Sequence, residues 1–391
     1  MRRLVYMDNA ATTHLREEAL QAMVYAYRHA FGNSSSVHIF GQEARRALEE
    51  AREEFASCVG ARPEEIIFTG GGTESDNLAI RGVAMALREL GNHIITCATE
   101  HHAVLHCCQE LEREGFQVTY LPVDSRGLVD LECLRDSIRE ETILITVMTA
   151  NNETGVLQPI GEIARMAREK GVLLHTDAVQ AAGKMSLDVD QLGADLVSFS
   201  GHKFYGPKGV GALFVRQGTP IRPIMQGGHH EGGLRPGTVN VPGIVGMARA
   251  LSATLAELEE TAARLRELKE ALAAGIMETI PGVYRNGDIE RSLPNVLNMS
   301  FEGAEGESLL LGLDVEGIAV STGSACTSGS VEPSHVLLAM GVPPQLAQCS
   351  LRFSLGRYND VQDIEYVLEV LPGIVERVRR IAGRRTQSAH R

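Results

Sequence analysis

Between residues 66 and 215 the chain alternates short β-rich apolar runs with longer helical stretches. The strand-like runs fall at 66–69, 94–98, 118–121, 143–149, 172–176, 195–198 and 211–215. Helical periodicity fills 76–90, 103–114 and 159–170. Strands and helices in alternation build a mostly parallel sheet with helices on both faces. The pattern therefore predicts an α/β fold around a mostly parallel seven-stranded sheet. Ligands of such sheets gather beyond the carboxyl ends of the strands, so the polar phrases that follow each run are the candidates for chemistry.

The pattern changes after residue 215. A long helical stretch, rich in Ala, Leu, Glu and Arg, runs from 242 to about 279 and stops at Pro281-Gly282. A smaller α/β segment follows, with strand-like runs at 296–301, 318–321 and 350–354 and a last helix from 360 to about 381. We expect a large unit spanning 16–260 and a small C-terminal α/β unit formed by 1–15 and 261–391. The helix after residue 15 is expected to pack with the small unit. The run 321–330 is Ser/Gly-rich and nearly free of apolar side chains, so it cannot bury itself, and the loop 321–333 should be mobile.

Composition narrows the classes. At 391 residues the chain exceeds what one core usually organises, and its 44% hydrophobic content suits a globular core. The net charge of −13, from 37 basic and 50 acidic residues, argues against nucleic acid as the main ligand. The seven cysteines are odd in number and irregularly spaced, which argues against a disulfide framework and for a reducing cytoplasm. Arg2-Arg3 leads at once into Leu4-Val5-Tyr6 and Asp8, so no signal peptide is expected. No apolar run is long enough to span a bilayer, and no membrane partner is expected.

The strongest chemical signal is a pair of strand ends. One carries His175-Thr176-Asp177-Ala178-Val179-Gln180, the next Ser200-Gly201-His202-Lys203. A carboxylate on one strand end and a lysine on its neighbour suit pyridoxal 5′-phosphate (PLP). The amine joins the cofactor aldehyde, and the carboxylate keeps the pyridine nitrogen protonated so that the ring accepts electrons. Lys203 is the candidate anchor among few lysines. Lys170 and Lys269 lie in charged helical stretches and read as solvated; Lys184 and Lys208 fall in Gly-containing turns.

Further phrases converge on the same edge. Thr69-Gly70-Gly71-Gly72-Thr73 links a strand to a helix start, where backbone amides approach an anion. His101 follows a strand and is placed to stack on a flat ring or move protons. His102 and His106 stand one helical turn apart with Cys107 beside them, a metal pair that lacks the third and fourth ligands of a zinc site, and His229-His230-Glu231 lies in a Gly-rich loop without helical spacing. Asn152, in Asn151-Asn152-Glu153, is either a polar contact or part of a plain turn. Arg352, inside a strand pattern, offers a planar fork to a carboxylate; the alternative is a structural ion pair. Cys326 lies mid-loop, where an exposed thiol reaches a substrate as thiolate, or is incidental.

These phrases, in this order and spacing, resemble the cysteine desulfurases of the NifS/IscS group, class V aminotransferases of the fold-type I PLP family. The likeness runs from Tyr6-Met7-Asp8-Asn9-Ala10-Ala11-Thr12-Thr13 to Arg352-Phe353-Ser354-Leu355-Gly356-Arg357. It implies removal of sulfur from L-cysteine, giving L-alanine and an enzyme persulfide, with the sulfur passed to an iron–sulfur scaffold protein. It implies that Lys203 anchors PLP and moves the Cα proton, that Asp177 pairs with the ring nitrogen, that Gln180 contacts the ring hydroxyl and that His101 stacks on the ring. Gly72, Thr73, Ser200 and His202 would form the phosphate cradle, with Thr238 reaching in from the second subunit of a homodimer. Asn152 and Arg352 would hold the substrate carboxylate. Cys326 would carry the sulfur and serve as a transient iron–sulfur ligand.

Three positions depart from the group's pattern. Ser34 stands where proline is common, Gly232 where arginine is usual, and the chain stops soon after Ile381, which leaves the docking partner open. Gly329-Ser330-Val331-Glu332-Pro333-Ser334-His335 resembles the nitrogen-fixation branch more than the housekeeping one. A PLP aminotransferase, a selenocysteine lyase and a non-catalytic assembly hub remain as rivals. The first needs no thiol, and the last needs neither Lys203 nor Asp177.

Overall fold

The structure is a computed structural model and describes residues 3–322 and 332–389. Its centre is a seven-stranded sheet. The strands lie in the order Ile66–Thr69, Gly211–Val215, Leu196–Ser200, Leu173–Asp177, Thr142–Thr146, His93–Cys97, Gln117–Leu121. The last five run parallel, and Gly211–Val215 runs antiparallel to both its neighbours. That reversal follows from the short connection after Leu196–Ser200, since a parallel return would need a longer crossover.

Most of these strands are buried along their whole length, as expected for a sheet covered on both faces. Two apolar clusters back the sheet: one includes Phe55, Phe199 and Phe214, the other Leu78, Val83 and Leu111. The helix Gly72–Leu87 covers one face with Leu78, Ile80 and Val83 turned inward. The helices Glu17–His29 and Ile39–Val59 pack with Val241–Leu255 over the other.

A separate core, with Leu272, Phe301, Phe353 and Leu371, joins the antiparallel strands Val283–Asn286, Val296–Phe301 and Ser350–Ser354 to the helices Leu258–Thr279, Gly306–Val315 and Val361–Ala389. The first strand, Val5–Tyr6, pairs in parallel with Ile318–Ala319 and adds Val5 and Met7 to this core.

Several expectations need correction. The helix Glu17–His29 packs on Val241–Leu255 and not with the small unit, because Ala19 and Ala26 present small side chains that fit that helix closely. The long pattern from 242 to 279 is two helices, Val241–Leu255 and Leu258–Thr279, broken around Ala256 and Glu257. The strand Val283–Asn286 went unread because only Asn286 in it is buried. Lys269 is not solvated: it is 1% exposed and donates to the Leu293 carbonyl and Ser292 Oγ. Helical charge patterning hides such a residue, because its long stem packs while its ammonium finds oxygens on a distant loop. Among the described residues, no helix is long and apolar enough to cross a membrane.

Candidate active site

The parallel pairing of Leu173–Asp177 with Leu196–Ser200 sets Asp177 opposite Ser198. Side chains alternate along a strand, so His175 and Asp177 share one face. Asp177 opens into a cavity of about 350 Å³. Gly72, Thr73, His101, Asn152, Gln180, Ser200, His202, Lys203 and Arg352 all line it, as does Asp76. The strand ends thus bring together all the predicted site residues within one chain except Thr238 and Cys326. Thr238 is exposed and lies outside this cavity. Cys326, with its proposed sulfur and iron–sulfur roles, lies outside the described residues, as does most of the loop 321–333.

Lys203 ends the short turn Gly201–Lys203. Its Nζ donates to the carbonyls of Ala10 and Ala11 at 2.6 and 2.8 Å. Asp177 is 7% exposed, and its Oδ1 accepts from the Val179 amide at 2.8 Å. Burial raises its carboxyl to about 6, against the lowering effects of that amide and of the Lys203 charge. Asp177 therefore stays ionised at neutral pH. Gln180 donates from Nε2 to the Ala10 carbonyl at 2.9 Å.

The glycine turn fits an anion. Gly71 has φ 151° and ψ −179°, a conformation open essentially to glycine. A Cβ on Gly72 would come within 2.8 Å of Val179 Cγ2. The backbone thus approaches as only glycine allows, and the Gly72–Leu87 helix begins facing Ser200 and His202. His202 makes a 3.1 Å hydrogen bond between Nδ1 and Thr12 Oγ1. Burial, then the Lys203 charge, lowers both His202 and His101 to about 4, so both rings are neutral at pH 7. His101 also caps the helix His102–Arg113, its Nδ1 accepting from the Ala103 amide.

Arg352 is 4% exposed. It donates from Nη1 to the Asn152 carbonyl at 2.9 Å and from Nη2 to Asp8 Oδ1 at 2.8 Å, while its buried Nε has no partner among the described residues. The structural ion pair weighed from sequence is thus present, on a residue that also lines the cavity. Asn152 offers its backbone oxygen to Arg352 and lines the cavity.

Sequence reasoning missed a buried polar layer behind Asp177. His175 bonds Thr146 Oγ1 from Nδ1 and Ser198 Oγ from Nε2, and its Nε2 lies 3.7 Å from Asp76 Oδ1. Burial pushes His175 down to about 3, so the ring is neutral. Burial, then the nearby Asp177 charge, raises Asp76 well above the usual carboxylate range. Glu100 is raised too, chiefly by burial; it accepts from the Met148 amide through Oε1, while Oε2 has no partner among the described residues. Strand alternation was the available signal for His175. Asp76, on the first turn after the glycines, was visible as a carboxylate on an otherwise apolar helix face.

The His102–His106 pair stacks at 4.8 Å, and the His335 ring also lies 4.8 Å from His102. Among the described residues no group of three or more His, Cys, Asp or Glu is placed to hold a metal ion. Glu231 forms a bidentate ion pair with Arg52 and accepts from the Phe68 amide. The adjoining Gly232 sits at φ 64°, where a side chain is strained.

A mostly parallel sheet with a lysine, a buried carboxylate and a glycine turn at its strand ends defines an α/β enzyme cavity. The chain belongs to the class-V aminotransferase family, whose model matches residues 5–367. It is 52% identical over 382 residues to the cysteine desulfurase IscS of Dictyoglomus turgidum, covering 98% of this chain and 97% of that one. Among solved structures, a NifS-like protein superposes with TM-score 0.91 at 42% identity, covering 96% of this chain and all of the other. SspA in complex with cysteine superposes with TM-score 0.80 at 38% identity, covering 91% of this chain and all of that one.

Proposed function

We propose that the protein is a PLP-dependent cysteine desulfurase that takes sulfur from L-cysteine, releases L-alanine and carries the sulfur as a persulfide on Cys326. The observation that carries this reading is the joint placement of Lys203, Asp177 and the Gly71–Gly72 cradle around one cavity. The donor set fits PLP: a primary amine for the aldehyde, an ionised carboxylate for the ring nitrogen, and hydroxyl, imidazole and backbone donors for the phosphate. When bound, the cofactor supplies an electron sink for the carbon next to the substrate amine.

The chain's own groups do the rest. Lys203 holds the cofactor and, once displaced by the substrate amine, takes the Cα proton on Nζ. Asp177 holds the ring-nitrogen proton. Neutral His101 offers an uncharged face to the ring, and Gln180 offers its amide to the ring hydroxyl. Thr73, Ser200 and His202 bind the phosphate, joined by Thr238 from a second copy of the chain in a homodimer. The Arg352 guanidinium, with the Asn152 side chain, receives the substrate carboxylate. The Cys326 thiolate attacks the substrate sulfur. A new S–S bond forms, the substrate C–S bond breaks with its electron pair left on the carbon fragment, and that fragment gains one proton at Cβ and recovers the Cα proton from Lys203 to become alanine. SspA was solved with cysteine, which supports that substrate class. We assign the protein to iron–sulfur cluster assembly in the cytoplasm, with a scaffold protein as acceptor.

The test is a visible absorption spectrum of the purified protein with and without L-cysteine, followed by mass measurement of the peptide containing Cys326. A visible band that changes with cysteine, and one added sulfur on that peptide, are expected. Cys326→Ala should keep the band and lose sulfide release. A colourless protein that binds no added PLP would sink the reading.

A further inference from the structure

Lys184 is a second lysine at the site, and the reading above gives it no part. It lies in the turn after Asp177, half-buried, and its Nζ reaches back toward the anchor. It donates to the Gln180 carbonyl at 2.9 Å, to the Lys203 carbonyl at 3.3 Å and to Gln180 Oε1 at 3.4 Å. Gln180 Nε2 donates to the Ala10 carbonyl, which also accepts from Lys203 Nζ. The bonds close a ring: Lys184 to Gln180, Gln180 to Ala10, Ala10 to Lys203 Nζ, and the Lys203 carbonyl back to Lys184.

The ring joins three separate pieces of chain. Ala10 follows the first strand, Gln180 and Lys184 follow Leu173–Asp177, and Lys203 follows Leu196–Ser200. The oxygens that Lys184 meets are all neutral. Its cation is therefore left largely uncompensated next to the anchoring residue. A positive charge in a low-dielectric surrounding disfavours a second one nearby.

We propose, on the reading that Lys203 carries the cofactor, that Lys184 is a positioning residue for it. Lys184 fixes the turn from which the Lys203 side chain extends, and its charge makes the Lys203 nitrogen release its proton at lower pH. Neutral carbonyls hold the lysine in place without cancelling its field, which an ion pair would do. Burial, then the Lys203 and Arg352 charges, lowers Lys184 itself to about 7, so the influence fades as pH rises through that range. The other titratable groups facing this region are Asp177, His101 and His202, which feel the Lys203 charge, and Arg16, Tyr205, Glu257 and Arg357, which line the small void beside Lys184.

The experiment is a pH titration of the visible band of the PLP-loaded protein. Wild type is compared with Lys184→Met, Lys184→Arg and the exposed-lysine control Lys170→Met. Removing the charge should raise the pH midpoint of the band by about one unit. Lys184→Arg should return it most of the way, and Lys170→Met should leave it unmoved. A role limited to stability would lower the melting temperature of Lys184→Met with the midpoint unchanged, and that result would overturn the proposal. If Lys184→Met does not fold, Lys184→Gln keeps a donor to the same carbonyls without the charge and is read against the same criterion. A wild-type protein with no band at all would instead defeat the assignment of Lys203, so the two failures are distinguishable.

Discussion

The floor of the cavity and its rim are assembled over different distances in the chain. On the floor, His175 and Ser198 lie on neighbouring strands 23 positions apart, and their register places Asp177 beside Ser198. On the rim, Arg352 reaches Asp8 across 344 positions and Asn152 across 200. The floor rests on one sheet whose strands are buried and whose side chains have nowhere else to point. The rim rests on contact between two separate apolar cores. Floor residues should therefore act all-or-none, and rim residues should tune affinity.

The sharpest way to break this comparison is to truncate one residue from each side. Lys203→Ala should lose the visible band and all turnover. Arg352→Ala should keep the band and raise KM by about 10- to 100-fold, the loss expected for charged hydrogen bonds to a carboxylate. Steady-state kinetics beside absorption spectra read both. An Arg352→Ala protein without a band would mean that the rim holds the floor together.

The next effect concerns protons. Asp177 titrates at about 6, and His101 and His202 only at about 4. As pH falls through 6 the carboxylate gains a proton while both rings stay neutral, so PLP binding to the apo-protein should weaken in that window. Asp177→Asn should bind weakly throughout and lose the part of the slope that the protein contributes. What remains belongs to the ligand phosphate. Equilibrium titration from pH 5 to 8 separates the two.

The smallest effect tests the layer under the floor. Glu100 has a raised carboxyl in the folded state, so folding favours its protonated form. That stability is fully present below the carboxyl's unfolded value and is lost as pH rises toward the folded one. Glu100→Gln keeps the acceptor for Met148 and removes the ionisation. Its advantage over wild type in thermal unfolding should be larger at pH 8 than at pH 5, on the order of 1–3 kcal/mol. Equal differences at both values would show that Glu100 is compensated by a group near it.

Most of the floor was legible because its residues sit at fixed offsets from apolar runs. Asp177, Lys203, Gly72 and His101 each follow a strand, and the alternation of strand and helix says where strand ends point. The layer beneath was harder to see. Asp76 and His175 look ordinary in one dimension and become unusual only where a helix start and two strands exclude water from both. Lysine offered the clearest failure. Lys269 and Lys184 sit in a charged helix and a glycine turn, contexts that usually mean solvent, yet both ammoniums are held by backbone oxygens of distant segments.

The amino-acid order by itself determined the alternating strands and helices, the glycine turn, and the lysine and carboxylate at adjacent strand ends, since hydrophobic periodicity and backbone sterics act locally. Only the tertiary structure decided that Arg352 divides its fork between Asp8 and the Asn152 carbonyl, that the helix Glu17–His29 packs on Val241–Leu255, and that Lys184 closes a ring around Lys203. Those outcomes depend on which surfaces meet when two cores pack, and on how desolvation resets the charge of groups that meet there.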